Sequence, residues 1–226
     1  MALGLSMGGS AGNGDIIPHV KYDARAGRIS RPDRKDVGGT FVTEATDITN
    51  NFVAVMDLAN LEVGWFHFAA GVAPVSVLVP LGAALPPKPT PDFKQGVRMM
   101  LKLGKDCGGD VRELTGASAS FVRGIDALHD AYMAGQGANP GKLPIVKLEA
   151  ANPVKSGSGA RTSTNYEPSF AITGWVDRPA DLIFIPKAGG AAPTTAPAAY
   201  APSTGSTQVG PPPAKAAPAM AEADFG

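Results

Sequence analysis

The chain has 226 residues, 44% of them hydrophobic, and 20 basic against 20 acidic side chains give a formal net charge of zero. Such a balance argues against a globally basic nucleic-acid binder, so any role of that kind needs cations clustered locally. A single cysteine, Cys107, supplies neither a disulfide framework nor a cysteine-based zinc site, and suits a reducing compartment.

Residues 1–15 are glycine-rich, with no basic segment leading into an apolar one, and read as a flexible N-terminus, not a signal peptide. The ordered body is expected over residues 16–187. Val20 to Ile29 carries an Ala-Gly turn between two short extended pieces and predicts a hairpin. Phe41 to Thr43, Asn51 to Asp57, Leu61 to Phe68 and the alternating Val75, Val77, Val79 and Leu81 read as strands. The longest apolar run, Ala69 to Leu85, is interrupted by Pro74 and Pro80 and makes a poor membrane span. Without a membrane span or signal, a cytoplasmic protein is expected, in the host cytoplasm if it is phage-encoded.

Two helices are predicted next, as an insertion over about 91–134. Phe93, Val97 and Leu101 recur every fourth residue with Lys94, Arg98, Lys102 and Lys105 beside them, the pattern of an amphipathic helix with a solvated cationic face. Phe121, Ile125, Leu128 and Tyr132 mark a second helix over Ser120 to Met133, with Ser118 or Ser120 as its N-cap. Strands return at Leu143 to Ala150 and Pro168 to Pro179, around a polar loop from Asn152 to Asn165, and Leu182 to Ile185 closes the body. Pleat alternation puts Phe170, Ile172 and Val176 on one face of the long strand and Trp175 on the other, with Thr173 and Asp177. Residues 188–226 contain one cation, Lys215, much Pro, Ala, Gly, Ser and Thr, and an end with Glu222, Asp224 and Phe225. They hold too little apolar bulk to offset the entropy of ordering, so a disordered tail is expected. Strands, helices and strands again indicate an α+β, mostly β fold with an antiparallel sheet.

The search for catalytic chemistry returns little. Gly137 to Lys142 has the wrong glycine spacing for a phosphate loop, and Leu143 stands where a hydroxyl is required. Asp224-Phe225-Gly226 lacks the other kinase motifs, and no G-x-S-x-G elbow accompanies His19, His67 or His129. The expectation is therefore a binding protein, not an enzyme, with no cofactor and no metal.

Single-stranded nucleic acid is held by cations along the phosphates and by aromatic faces under the bases. Six cations fall between Lys21 and Lys35, among them Lys21, Arg25, Arg28 and Arg31, with Tyr22 in their midst. Lys142, Lys147, Lys155 and Arg161 cluster ahead of Tyr166 and Trp175. Lys21, Tyr22, Arg25, Arg28, Arg31, Lys147, Lys155, Arg161, Tyr166 and Trp175 are the candidate nucleic-acid contacts.

A β-rich body with scattered cations and aromatics, followed by a Pro/Ala/Gly tether ending in Glu222, Asp224 and Phe225, resembles the single-stranded-DNA-binding proteins of bacteria and phages. The replication type of T7-like phages is the closest in plan. The resemblance implies an OB-fold barrel with a helical insertion and non-specific coating of single-stranded DNA during replication or recombination. It also implies a tail whose Glu222, Asp224 and Phe225 recruit partner proteins, and a possible homo-oligomer. A virion structural or assembly protein with a flexible arm is the alternative.

Overall fold

The computed structural model describes residues 17–69, 74–157 and 162–187. The expectations for residues 1–15 and for the tail lie outside the described residues. In chain order the strands are β1 (His19–Asp23), β2 (Arg28–Val37), β3 (Thr40–Asp47), β4 (Val53–Met56), β5 (Glu62–His67), β6 (Val75–Pro80), β7 (Lys94–Leu103), β8 (Val111–Gly116), β9 (Leu143–Ser156) and β10 (Ser163–Val176). One α-helix, α1 (Ala119–Gln136), enters between β8 and β9.

The strands form one sheet in the order β10-β9-β4-β7-β8-β1-β2-β3, curled into an open half-barrel. β7 carries two neighbours on one edge, β5 beside its first half and β4 beside its last residues, and β6 extends the sheet beyond β5. The β1–β8 pairing is parallel, so the sheet is mixed where an antiparallel barrel was expected. A mostly β, curled sheet with one helix inserted is consistent with an OB-fold-like architecture.

Only the second of the two expected helices forms. Ser118 caps it, its Oγ accepting from the Phe121 N–H, and Phe121, Ile125, Leu128 and Tyr132 are all buried. The segment read as the first helix is β7. A repeat of four is also a multiple of two, so Phe93, Val97 and Leu101 satisfy the pleat of a strand as well as the turn of a helix. Met99 and Leu103 complete the same strand face in the core, whereas the opposite face carries Arg98, Met100 and Lys102.

Both faces of this region are covered. α1 packs on the first, along β10, closing a core that includes Phe52, Met56, Met99, Leu101, Phe121 and Val146. The irregular segment 177–187 crosses the second, where Leu182 and Phe184 meet Met100, Val55 and Val111. Leu182 to Ile185 therefore closes the body as a covering strap with no regular secondary structure. The guanidinium of Arg178 holds both carboxylate oxygens of the fully buried Asp57 at 2.7 Å, and Lys102 holds Asp181 at 2.7 Å. Arg98, 1% exposed, donates to the Ile185 carbonyl, to Glu62 and to Glu113, so the expected solvated cation is the centre of a buried ionic cluster.

The polar loop expected over Asn152 to Asn165 is largely a hairpin. β9 and β10 stay paired out to Ser156 and Ser163. Along that pairing the register slips twice, between Ser169 and Phe170 and again between Ile172 and Gly174.

Candidate nucleic-acid interface

The second slip decides where Trp175 lies. Thr173 is an extra residue in β10, since Ile172 pairs with Val146 and Gly174 with the adjacent Ile145. A bulge of this kind reverses the alternation of faces beyond it. Trp175 therefore joins Phe170 and Ile172 against the core, instead of standing opposite them as simple alternation required. Its ring stacks on Tyr132 of α1 at 5.7 Å, and it passes so close to Gly135 that a Cβ there would lie 2.5 Å from the indole.

Tyr22 is engaged in the same way. Its ring stacks on Phe121 at 5.7 Å and its hydroxyl donates to the Tyr166 carbonyl at 3.0 Å. Burial, with the charges of Asp23 and Glu167 adding to it, pushes the Tyr22 hydroxyl up to about 12.

Tyr166 sits at the place where the curled sheet comes back on itself. The turn joining β1 to β2 reaches β10, and the Tyr166 N–H donates to the Ala24 carbonyl at 2.6 Å. Gly27 makes this approach possible: its φ is +66°, and a Cβ would lie 2.9 Å from the Tyr166 ring. Arg25 follows Ala24 directly in that turn and is exposed. Across the hairpin Tyr166 pairs with Pro153, and Lys155 lies two residues further on the same face of β9, about 7 Å along the strand.

The nearby acids are already occupied. Asp23 accepts the main-chain N–H groups of Arg25 and Ala26, and Glu167 pairs with Arg123 at 2.6 Å. Arg25 and Lys155 have no ionic partner among the described residues. The structure thus brings together Arg25, Lys155 and the half-exposed Tyr166, from segments more than a hundred residues apart in sequence.

The other candidates fall elsewhere. Arg28 is paired with Asp47 at 2.7 Å, and Arg31 is tied to Asp33 and to the Cys107 carbonyl. Lys21 is exposed on the face of β1 opposite Tyr22. Lys147 is exposed beside Val53 and Ala171, about 20 Å along β9 from Pro153. Arg161, Glu222, Asp224 and Phe225 lie outside the described residues.

Several charged groups escaped the sequence reading because their partners are distant in the chain. Arg112, 4% exposed, binds Asp33, Asp110 and the Pro32 carbonyl, and so anchors the base of the β2–β3 hairpin to β8. Burial would raise the Glu113 carboxyl, but hydrogen bonds from Arg98 and Thr115 and the charges of Arg98 and Lys187 hold it below its ordinary value. Phe41 was read as a strand residue only; it is 60% exposed, with the Arg34 guanidinium 4.2 Å from its ring centre.

Among the described residues no group of three or more His, Cys, Asp or Glu is placed to hold a metal ion. No described helix is long and apolar enough to cross a membrane. In comparisons with known proteins, no family model, curated protein or solved structure matches the chain.

Proposed function

We propose that this protein binds single-stranded DNA without sequence preference and performs no chemistry on it. The observation that carries this reading is the rim site: Arg25 and Lys155, both without ionic partners among the described residues, beside the half-exposed ring of Tyr166. Two exposed cations beside an aromatic ring match what a phosphate-sugar backbone and an unpaired base require together. A duplex keeps its bases stacked inside and would leave Tyr166 without a partner. The half-barrel suits the role, since OB-type barrels are a recurrent platform for oligonucleotides. A role in phage-type replication or recombination, with Glu222, Asp224 and Phe225 recruiting partner proteins, belongs to the same reading and rests on the resemblance in plan.

The deciding measurement is fluorescence anisotropy of end-labelled oligo(dT) titrated with the full chain at several salt concentrations. Binding at micromolar protein in low salt is expected, weakening linearly in a log–log plot by about 0.7 per phosphate contacted. Absence of binding at low salt would refute the proposal.

A further inference from the structure

The β2–β3 hairpin does not behave as the phosphate-binding element that its cations suggest. From Arg34 to Asp47 every residue is exposed, so the hairpin leaves the body as a free two-stranded ribbon once Arg112 and Arg31 have anchored its base. Over Arg28–Asp47 it carries four cations (Arg28, Arg31, Arg34, Lys35) and four acids (Asp33, Asp36, Glu44, Asp47). Arg28, Arg31 and Lys35 are paired with acids of the ribbon itself. A ribbon that is neutral and internally paired has little attraction for a polyanion. Its tip is apolar instead: Val37 is 62%, Phe41 60% and Val42 49% exposed.

The two long edges of the ribbon differ. β2 carries Pro32, Arg34, Lys35 and Asp36, residues that discourage a further strand. β3 reads Thr-Phe-Val-Thr-Glu-Ala-Thr-Asp, with no proline and no cation, and it is the last strand in the sheet order, so among the described residues its outer main-chain groups have no strand partner. An open edge of this composition is a template for strand addition.

We infer that β3 is a self-association edge, pairing antiparallel with β3 of a second copy of this chain about a two-fold axis at Val42. Neutrality admits a second copy as occupant, charge excludes a register centred on Glu44, and the exposed apolar Val42 is buried against itself when the axis passes through it. A neutral ribbon meets its own copy without net repulsion, and a two-fold contact uses one patch twice. With the axis at Val42, Val42 faces its own copy, Phe41 faces Thr43, and Thr40 faces Glu44. An axis at Glu44 would set two carboxylates against each other, which is destabilising across strands. The contact is small, so the dimer is expected in the micromolar range.

Sedimentation velocity of the full chain over a hundredfold concentration range tests this. The expected result is a reversible monomer–dimer equilibrium in the wild type and at least a tenfold weaker dimer in Val42→Lys. Phe41→Ser serves as a second variant should the first alter the far-ultraviolet circular dichroism. Val42→Cys should give a disulfide-linked dimer on mild oxidation, and Glu44→Cys should not; Cys107 is 1% exposed and stays out of the reaction. A wild type that remains monomeric throughout overturns the inference. So does a dimer untouched by both variants, or a Val42→Lys chain that keeps its dimer while an Arg34→Glu chain loses affinity for duplex DNA.

Discussion

The main-chain N–H of Tyr166 and the carbonyl of Ala24, 2.6 Å apart, join β10 to the β1–β2 turn across the mouth of the half-barrel. Everything proposed for the rim depends on this contact, because it sets Arg25 beside Tyr166. Gly27 is the residue that lets the two segments approach. Gly27→Ala forces an L side chain into φ +66° and into the Tyr166 ring, and should cost about 1–3 kcal/mol through conformational strain and overpacking. Thermal denaturation should show the loss, and oligo(dT) affinity should fall with it as Tyr166 is displaced.

Charge removal at the rim separates binding from folding. Arg25→Ala and Lys155→Ala should leave the melting temperature unchanged, because both side chains are exposed and without ionic partners among the described residues. Each should weaken oligo(dT) binding and reduce the salt slope by about 0.7. Arg28→Ala is the control: Arg28 already faces Asp47, so its loss should change affinity less.

Trp175→Ala should act on the fold first. The ring lies between Tyr132 and Gly135, so truncation opens a cavity beneath α1 and should cost about 3 kcal/mol, toward the lower end for an aromatic deletion because the ring is not fully buried. Urea unfolding measures this directly. Binding by the fraction that stays folded should be close to that of the wild type.

Arg98→Met leaves Glu62, 4% exposed, without its counter-charge, and should destabilise by about 3–5 kcal/mol. A double change, Arg98→Met with Glu62→Gln, should recover part of the loss, because it removes the stranded charge as well. Chemical denaturation of the single and double variants gives the comparison.

The pH dependence has a sign at each end. The folded Glu113 carboxyl titrates below its ordinary value of 4.5, so its stabilising contribution is complete above that value and disappears as pH falls through the lower folded one. The Tyr22 hydroxyl is raised from 10.0 to about 12, so the folded state retains a proton that the unfolded state loses. Stability should therefore decline as pH rises from about 10 to about 12 and level off above that. Tyr22→Phe should flatten the alkaline decline, at the cost of about 1 kcal/mol at neutral pH for the lost bond to the Tyr166 carbonyl. Denaturation midpoints across the two pH ranges follow both effects.

Local pattern determined much of this protein. The β1–β2 hairpin, most of the strands and α1 with its Ser118 cap follow from alternation, turn residues and a capping hydroxyl, all of which act over a few neighbouring positions. Tertiary structure decided the remainder. Phe93, Val97 and Leu101 satisfied a helix and a strand equally, and pairing of β7 with β4, β5 and β8 settled the choice by joining its main-chain groups to three neighbours. Trp175 changed faces through one extra residue in β10, a detail of register that no spacing of side chains records. Arg28 and Arg31 looked like free cations until Asp47 and Asp33 came beside them, whereas Arg25 and Lys155 kept their charge available; hairpin register sets Lys155 near Tyr166, and Arg25 reaches it because the sheet curls. A sequence lists charges and faces; long-range pairing decides which charges are spent and which faces meet.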